Sequence, residues 1–189
     1  MTKQQLRHTF KQKRLEINPK KKLDYDDLML LKFQEYNYNF CNYLLTYWGI
    51  TAHNEPNTHL FSSYLRHFVP NLQMAYPKSN FEDNSMEALL INESTVYKTN
   101  KYLITEPKEG VVLQPTTFDI VFVPLFVCDE NGFRVGYGKG FYDKYLANCR
   151  EDCVKIGFSY FEPIQKIEDV NEFDIPLNMC ITPNNVYEF

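Results

Sequence analysis

Four of the chain's seven glycines, Gly132, Gly136, Gly138 and Gly140, fall within nine residues. The cluster follows the apolar run 118–126 and precedes a helical pattern over about 140–148, so it reads as a strand, a glycine-rich loop and a helix. Strand-like apolar runs recur at 43–48, 72–76, 87–91, 154–158 and 179–182. Helical patterns lie between them. The first runs to about residue 17, with Leu6, Phe10 and Ile17 near one face and Asn18-Pro19 as the break. A second covers about 23–33 and runs toward residue 40, and a third follows Pro56 through Leu60, Tyr64, Leu65 and Phe68. Strands interleaved with helices predict an α/β chain: a three-layer α/β/α domain with a largely parallel, Rossmann-like sheet. Residues 83–85 and 106–115 are expected to be surface connections.

The 189 residues suit a single domain over 1–189, long enough to bury roughly 70% of the surface an unfolded chain exposes. A hydrophobic fraction of 44% and an aromatic fraction of 16% exclude a disordered chain. The net charge of −4 supplies no overall positive field for a nucleic-acid backbone. No segment approaches the roughly 20 apolar residues of a membrane span, and no apolar run follows the basic N-terminal residues, so a cytoplasmic protein without membrane partners is expected. The five cysteines form no C-x-x-C pair and the four histidines no zinc spacing, which points to reduced thiols and no metal cage.

Glycines let backbone approach a ligand closely, and the free amides of a helix start attract anions. The cluster therefore favours a phosphate-binding loop, with Arg134 and Lys139 as adjacent cations. Gly136-Tyr137-Gly138-Lys139-Gly140 matches neither the dinucleotide G-x-G-x-x-G nor the P-loop pattern, so a nucleotide would be held in another way. A bare strand-to-helix turn is the plainer reading. Asp143, in the first helical turn, is favoured there by the helix dipole alone, yet beside a triphosphate it offers what Mg²⁺ prefers. Asp174 is a second such carboxylate or an ordinary loop residue. Lys3 and Arg7, four apart, share a helix face that is either a solvated basic surface or an anion clamp. Glu55-Pro56 suits a helix N-terminus, and Tyr102 could stack on a flat ring.

Taken in order, Val123-Pro124-Leu125-Phe126 and the stretch from Asp129-Glu130-Asn131-Gly132 through Gly136-Tyr137-Gly138-Lys139-Gly140-Phe141-Tyr142-Asp143 resemble the signature of 5-formyltetrahydrofolate cyclo-ligases. Lys3 and Arg7, Glu55 and Thr58, Tyr76-Pro77-Lys78, Ile104-Thr105-Glu106-Pro107 and Asp174 extend the resemblance over almost the whole chain. It implies an ATP- and Mg²⁺-dependent enzyme whose small-molecule substrate is 5-formyltetrahydrofolate, expected to act as a monomer. By the same resemblance Lys3, Gln4, Gln5, Leu6 and Arg7 border ATP, as do Arg134, Val135, Gly136, Tyr137, Gly138, Lys139, Gly140, Phe141 and Tyr142. Tyr137, Gly138, Lys139, Gly140 and Phe141 also touch the folate, Ile50 and Glu55 are substrate positions, and Asp143 and Asp174 are magnesium positions. Arg134 and Lys139 are the residues expected to act on the transferring phosphoryl group. The chain departs from the pattern at Glu162-Pro163, where other members place a glutamine after an aromatic residue.

The implied reaction closes 5-formyltetrahydrofolate to 5,10-methenyltetrahydrofolate with release of ADP and phosphate through a phosphorylated formyl group. Two other functions suit the same loop chemistry: a folate- or nucleotide-binding protein without turnover, and another α/β phosphate-binding enzyme such as a sugar-phosphate isomerase.

Overall fold

Asn18-Pro19 both ends one helix and starts the next. In the computed structural model, which describes residues 1–189, α1 (Lys3–Leu15) opens with a capping box between Thr2 and Gln5. The following helix, α2 (Pro19–Phe33), opens where the Lys21 amide donates to Asn18 Oδ1 at 2.9 Å. A proline in a first turn removes no helical hydrogen bond, so α2 begins earlier than the expected residue 23. The later helices are α3 (Thr58–Phe68) and the six-residue α4 (Phe141–Leu146), shorter than the 140–148 pattern. No helix is long and apolar enough to cross a membrane.

The strands are β1 (Tyr43–Leu45), β2 (Gln73–Asn80), β3 (Ser85–Leu90), β4 (Tyr97–Thr99), β5 (Thr105–Pro107), β6 (Val111–Leu113), β7 (Ile120–Val123), β8 (Val127–Cys128), β9 (Arg134–Val135), β10 (Val154–Phe158), β11 (Met179–Ile181) and β12 (Val186–Glu188). Eight of them form one sheet in the order β12-β11-β10-β7-β1-β2-β3-β6. The run from β11 to β2 is parallel, and β12, β3 and β6 join antiparallel at the edges. The pairs β4–β5 and β8–β9 form separate ribbons.

Two expectations need correction. Residues 106–115 contain the end of β5 and all of β6, and Glu106 is buried with its carboxylate taking the Ser79 amide and the Asn100 side chain. The exposed Val111 and Val112 mark an edge strand, which carries no inward-facing alternation to read. The run 118–126 is strand only over β7, because Pro124 has no N–H to donate and β7 stops before it, and β8 begins just beyond the run at Val127.

Alternate residues of the central strands face opposite ways, as the two-residue period requires. Leu44, Phe122, Ile156 and Phe158 pack against Met29 and Phe33 of α2 and Phe61 and Leu65 of α3. Leu45, Val121, Val123 and Cys180 pack against Tyr145 and Leu146 of α4. The α/β/α layering is present, with one layer built from a single short helix and connecting segments. Phe61 and Phe158 are stacked at 3.8 Å between centroids and are fully buried. Phe61→Ala is expected to lower unfolding free energy by about 3–5 kcal/mol, read from the shift in denaturant midpoint.

From β1 the chain continues through α3 to β2 on one side, whereas β7 and β10 lie on the other side of β1. The order thus reverses between β1 and β7. In open α/β sheets the crevice beyond the carboxyl ends of strands at such a reversal is where ligands bind.

Candidate active site

Three segments leaving carboxyl ends of neighbouring strands meet in that crevice around a cavity of about 600 Å³, within the range of small-molecule sites. After β1 come Tyr47, Trp48, Ile50, His53 and Glu55; from the end of β2 and just beyond it, Ser79 and Phe81; after β7, Pro124, Arg134 and the turn Gly136 to Asp143. The N-terminal turns of α1 add Lys3, Gln4 and Arg7.

Leu6 and Phe10 fix α1 here by packing on Phe126 and on Val127 and Val135 of the β8–β9 ribbon. This sets Arg7 over the glycine turn, where its Nε donates to Gly136 O at 2.7 Å. Gly138 and Gly140 both have positive φ, +84° and +73°, the left-handed region that favours glycine. Arg134 is buried, and its guanidinium donates to Ile175 O and, at 2.9 Å, to Asp143 Oδ1. Burial pushes Arg134 below its ordinary value, with Asp143 and then Asp174 opposing. Lys3 Nζ pairs with Asp174 Oδ2, and the Lys3 amide donates to Asp169 Oδ1 at 2.6 Å. Lys139 is exposed and has neither an ion pair nor a hydrogen bond from its ammonium.

The opposite wall is aromatic. Phe81 stacks on Tyr102 at 3.9 Å and meets Phe141 edge-on at 5.1 Å. Trp48, 37% exposed, sits edge-on to His59 and Tyr97. At the floor, Glu55 is buried, its Oε2 taking the Ile50 amide at 2.6 Å and its Oε1 the Tyr137 hydroxyl. Burial raises the Glu55 carboxyl above the usual carboxylate range, with Arg14, Tyr137 and Ile50 pulling the other way. His53 Nδ1 and Tyr142 Oη are buried without a partner, and buried polar atoms of this kind ordinarily find one.

The structure thus gathers Lys3, Gln4, Arg7, Ile50, Glu55, Arg134, Gly136 to Asp143 and Asp174 around one cavity. Three expected nucleotide neighbours do not line it. Gln5 caps α1, and Leu6 and Val135 are core residues behind the wall. Glu55 does not charge-cap α3, because it turns back to Ile50 and Tyr137. The six-residue α4 offers little dipole, so anion binding falls to the cations and the turn's backbone. Glu162, at the departure from the family pattern, accepts bonds from Thr182, Asn184 and Tyr187 and stays outside the cavity. Sequence reasoning missed Trp48, His53, Phe81, Asp169 and the buried Arg14, none of which carries a local pattern.

The profile of the 5-formyltetrahydrofolate cyclo-ligase family matches residues 1–183. The chain is similar to the 5-formyltetrahydrofolate cyclo-ligase of Escherichia coli strain K12, with 37% identity over 93 residues, 48% of this chain and 51% of that one. It is also similar to that of Mycoplasma genitalium, 29% identical over 122 residues, 59% of this chain and 73% of that one. The chain therefore spans about half the length of the Escherichia coli relative it matches. Among solved structures, the Aquifex aeolicus 5,10-methenyltetrahydrofolate synthetase shares the fold with a TM-score of 0.81 and 22% identity, covering 100% of this chain and 93% of that one. With the profile covering all but the last few residues, the chain belongs to the 5-formyltetrahydrofolate cyclo-ligase family.

Proposed function

We propose that this chain, acting as one domain and as a cytoplasmic monomer, closes 5-formyltetrahydrofolate to 5,10-methenyltetrahydrofolate with ATP and Mg²⁺. The observation that carries the reading is a single cavity with a cationic glycine turn at one side and an aromatic wall and buried carboxylate at the other. A phosphate-only enzyme such as a sugar-phosphate isomerase has no use for the Phe81–Tyr102–Phe141 wall.

The chemical obstacle is that a formamide oxygen is a poor leaving group. In the proposed sequence that oxygen attacks the γ-phosphorus and ADP leaves. N10 then attacks the formyl carbon, phosphate departs with the oxygen, and the N10 proton goes to solvent or phosphate. No side-chain nucleophile is needed, and the protein supplies position and charge. Arg7 and Lys139 face the phosphates, Arg134 holds the turn, and the aromatic wall orients the rings and excludes water.

The carboxylates fit magnesium. Asp143 takes its bonds from Arg134 and Ile175 on Oδ1, and Asp174 takes its bonds from Lys3 and Asn171 on Oδ2, which leaves one oxygen of each without a partner. Magnesium is usually held by one or two carboxylates plus phosphate oxygens and water. Bound there, Mg²⁺ would neutralise charge on the phosphates. Asp143→Asn is expected to raise the Mg²⁺ concentration giving half-maximal rate; an unchanged magnesium titration would leave Asp143 as the partner of Arg134 alone.

The function is tested by following methenyltetrahydrofolate absorbance with 5-formyltetrahydrofolate, ATP and Mg²⁺, each omitted in turn. Product is expected only in the complete mixture. Tight folate binding without product would make the chain a binding protein, and ATP use independent of folate would remove the reading altogether.

A further inference from the structure

Arg14 lies in the last turn of α1, where a basic residue ordinarily faces water, yet its side chain is 2% exposed. Its guanidinium donates from Nε to His53 O at 2.8 Å, from Nη1 to Leu125 O at 3.0 Å and from Nη2 to Tyr137 Oη at 2.8 Å, and it lies over the Phe126 ring at 4.2 Å. The Tyr137 hydroxyl donates in turn to Glu55 Oε1, which is 4.0 Å from Arg14 Nη2. Burying a cation this deeply is costly unless its hydrogen bonds and a counter-charge repay it. Here the counter-charge is a carboxylate that lines the cavity.

We propose that Arg14 is a positioning residue for the folate half of the site, fixing the Glu55 carboxylate through the Tyr137 hydroxyl so that its two oxygens receive the adjacent ring N–H and amino N–H of the pterin. The inference rests on the folate reading above. Each Glu55 oxygen takes one protein donor and keeps a lone pair for the ligand. Because Tyr137 belongs to the glycine turn, the same hydroxyl ties the turn's position to that of the carboxylate.

A protonated Glu55 would present a donor where two acceptors are required. Burial raises its pKa, and Arg14 is the largest influence opposing that rise, ahead of Tyr137, Ile50 and Lys22. Tyr47, Tyr137, Tyr142 and Tyr160 around it are all raised, chiefly by burial, and stay neutral at working pH. Burial, Lys11 and Arg14 lower His53, which stays neutral near pH 7. The acid limb of kcat/KM for the folate therefore belongs to Glu55, with activity lost as pH falls through a value above the ordinary carboxylate range.

The test is the pH profile of kcat/KM for 5-formyltetrahydrofolate and for ATP in wild type, Arg14→Met, Tyr137→Phe, Glu55→Gln and Arg14→Met/Glu55→Gln. Arg14→Met is expected to lower the folate value about 10²-fold or more at neutral pH, the scale of a broken buried charge pair. Its acid limb should move to higher pH, while KM for ATP changes far less. Tyr137→Phe should move the limb the same way by less, since the two carbonyl bonds and Phe126 keep Arg14 in place. Glu55→Gln should flatten the limb, and adding Arg14→Met should then move nothing further along the pH axis. Limbs unmoved in both Arg14→Met and Tyr137→Phe, or an equal loss at every pH with or without Glu55, would make Arg14 merely structural and overturn the proposal. If Arg14→Met does not fold, Tyr137→Phe, which removes one oxygen atom, decides. If the wild type makes no methenyl product the folate reading fails, and NMR titration of the Glu55 side-chain carbon in wild type and Tyr137→Phe then tests the linkage alone: unchanged titration overturns it.

Discussion

Lys139→Ala is expected to lower turnover by about 10²-fold or more, the scale seen when one preorganised charge-stabilising donor is lost, while leaving the denaturant midpoint unmoved. Of the four cations lining the cavity, Lys3 is balanced by Asp174 and Arg134 by Asp143, and Arg7 is committed through Nε to Gly136 O. Lys139 alone has no protein partner. Two of the four are thus already neutralised, so the positive charge left for a triphosphate is smaller than the number of lysines and arginines around the cavity. An ammonium held free of carboxylates is the one able to follow charge as it develops on a moving phosphoryl group. The check is kcat at saturating ATP and Mg²⁺; near-normal turnover would remove Lys139 from the chemistry.

The part of the site that was legible in the sequence is the part built from one continuous segment. Four clustered glycines, two cations and a carboxylate between an apolar strand and a helix announce a turn that approaches a ligand, and Gly136 to Asp143 indeed line the cavity. The parallel strands were legible for a related reason: buried on both faces, they read as unbroken apolar runs such as 120–123. The ribbons β4–β5 and β8–β9 were not, since β4, β5 and β9 each carry a charged residue within two or three positions and leave no apolar run to read. Arg14 illustrates the other limit. Its acceptors come from residues 53, 125 and 137, and only the sheet brings those segments together. The aromatic wall is similar: Phe81 and Tyr102 sit in separate hairpin turns, and neither has neighbours in sequence that indicate a shared surface.

Gly138→Ala is expected to cost at least about 10²-fold in kcat/KM for ATP, and a glycine series separates the two reasons. A methyl group at Gly138 would lie 3.0 Å from both Cζ and Nη2 of Arg7, so either the turn or the guanidinium must shift. Arg7 cannot move freely while its Nε holds Gly136 O at 2.7 Å, and displacing a positioning group by an ångström can cost about 10²-fold. The positive φ of +84° adds backbone strain of roughly 1–2 kcal/mol for an alanine. At Gly140 the φ of +73° brings similar strain, but nothing stands within 4 Å of an added Cβ. At Gly136 a Cβ meets only Pro124 O, at an ordinary 3.8 Å, and φ is not positive. If the Arg7–Gly138 contact shapes the nucleotide grip, ATP kinetics should suffer in the order Gly138→Ala, Gly140→Ala, Gly136→Ala, while thermal stability falls comparably in the first two. Equal ATP losses at Gly138 and Gly140 would assign the effect to strain. Wild-type ATP kinetics in Gly138→Ala would mean that the triphosphate does not rest on this turn, and the proposed function would lose the observation on which it stands.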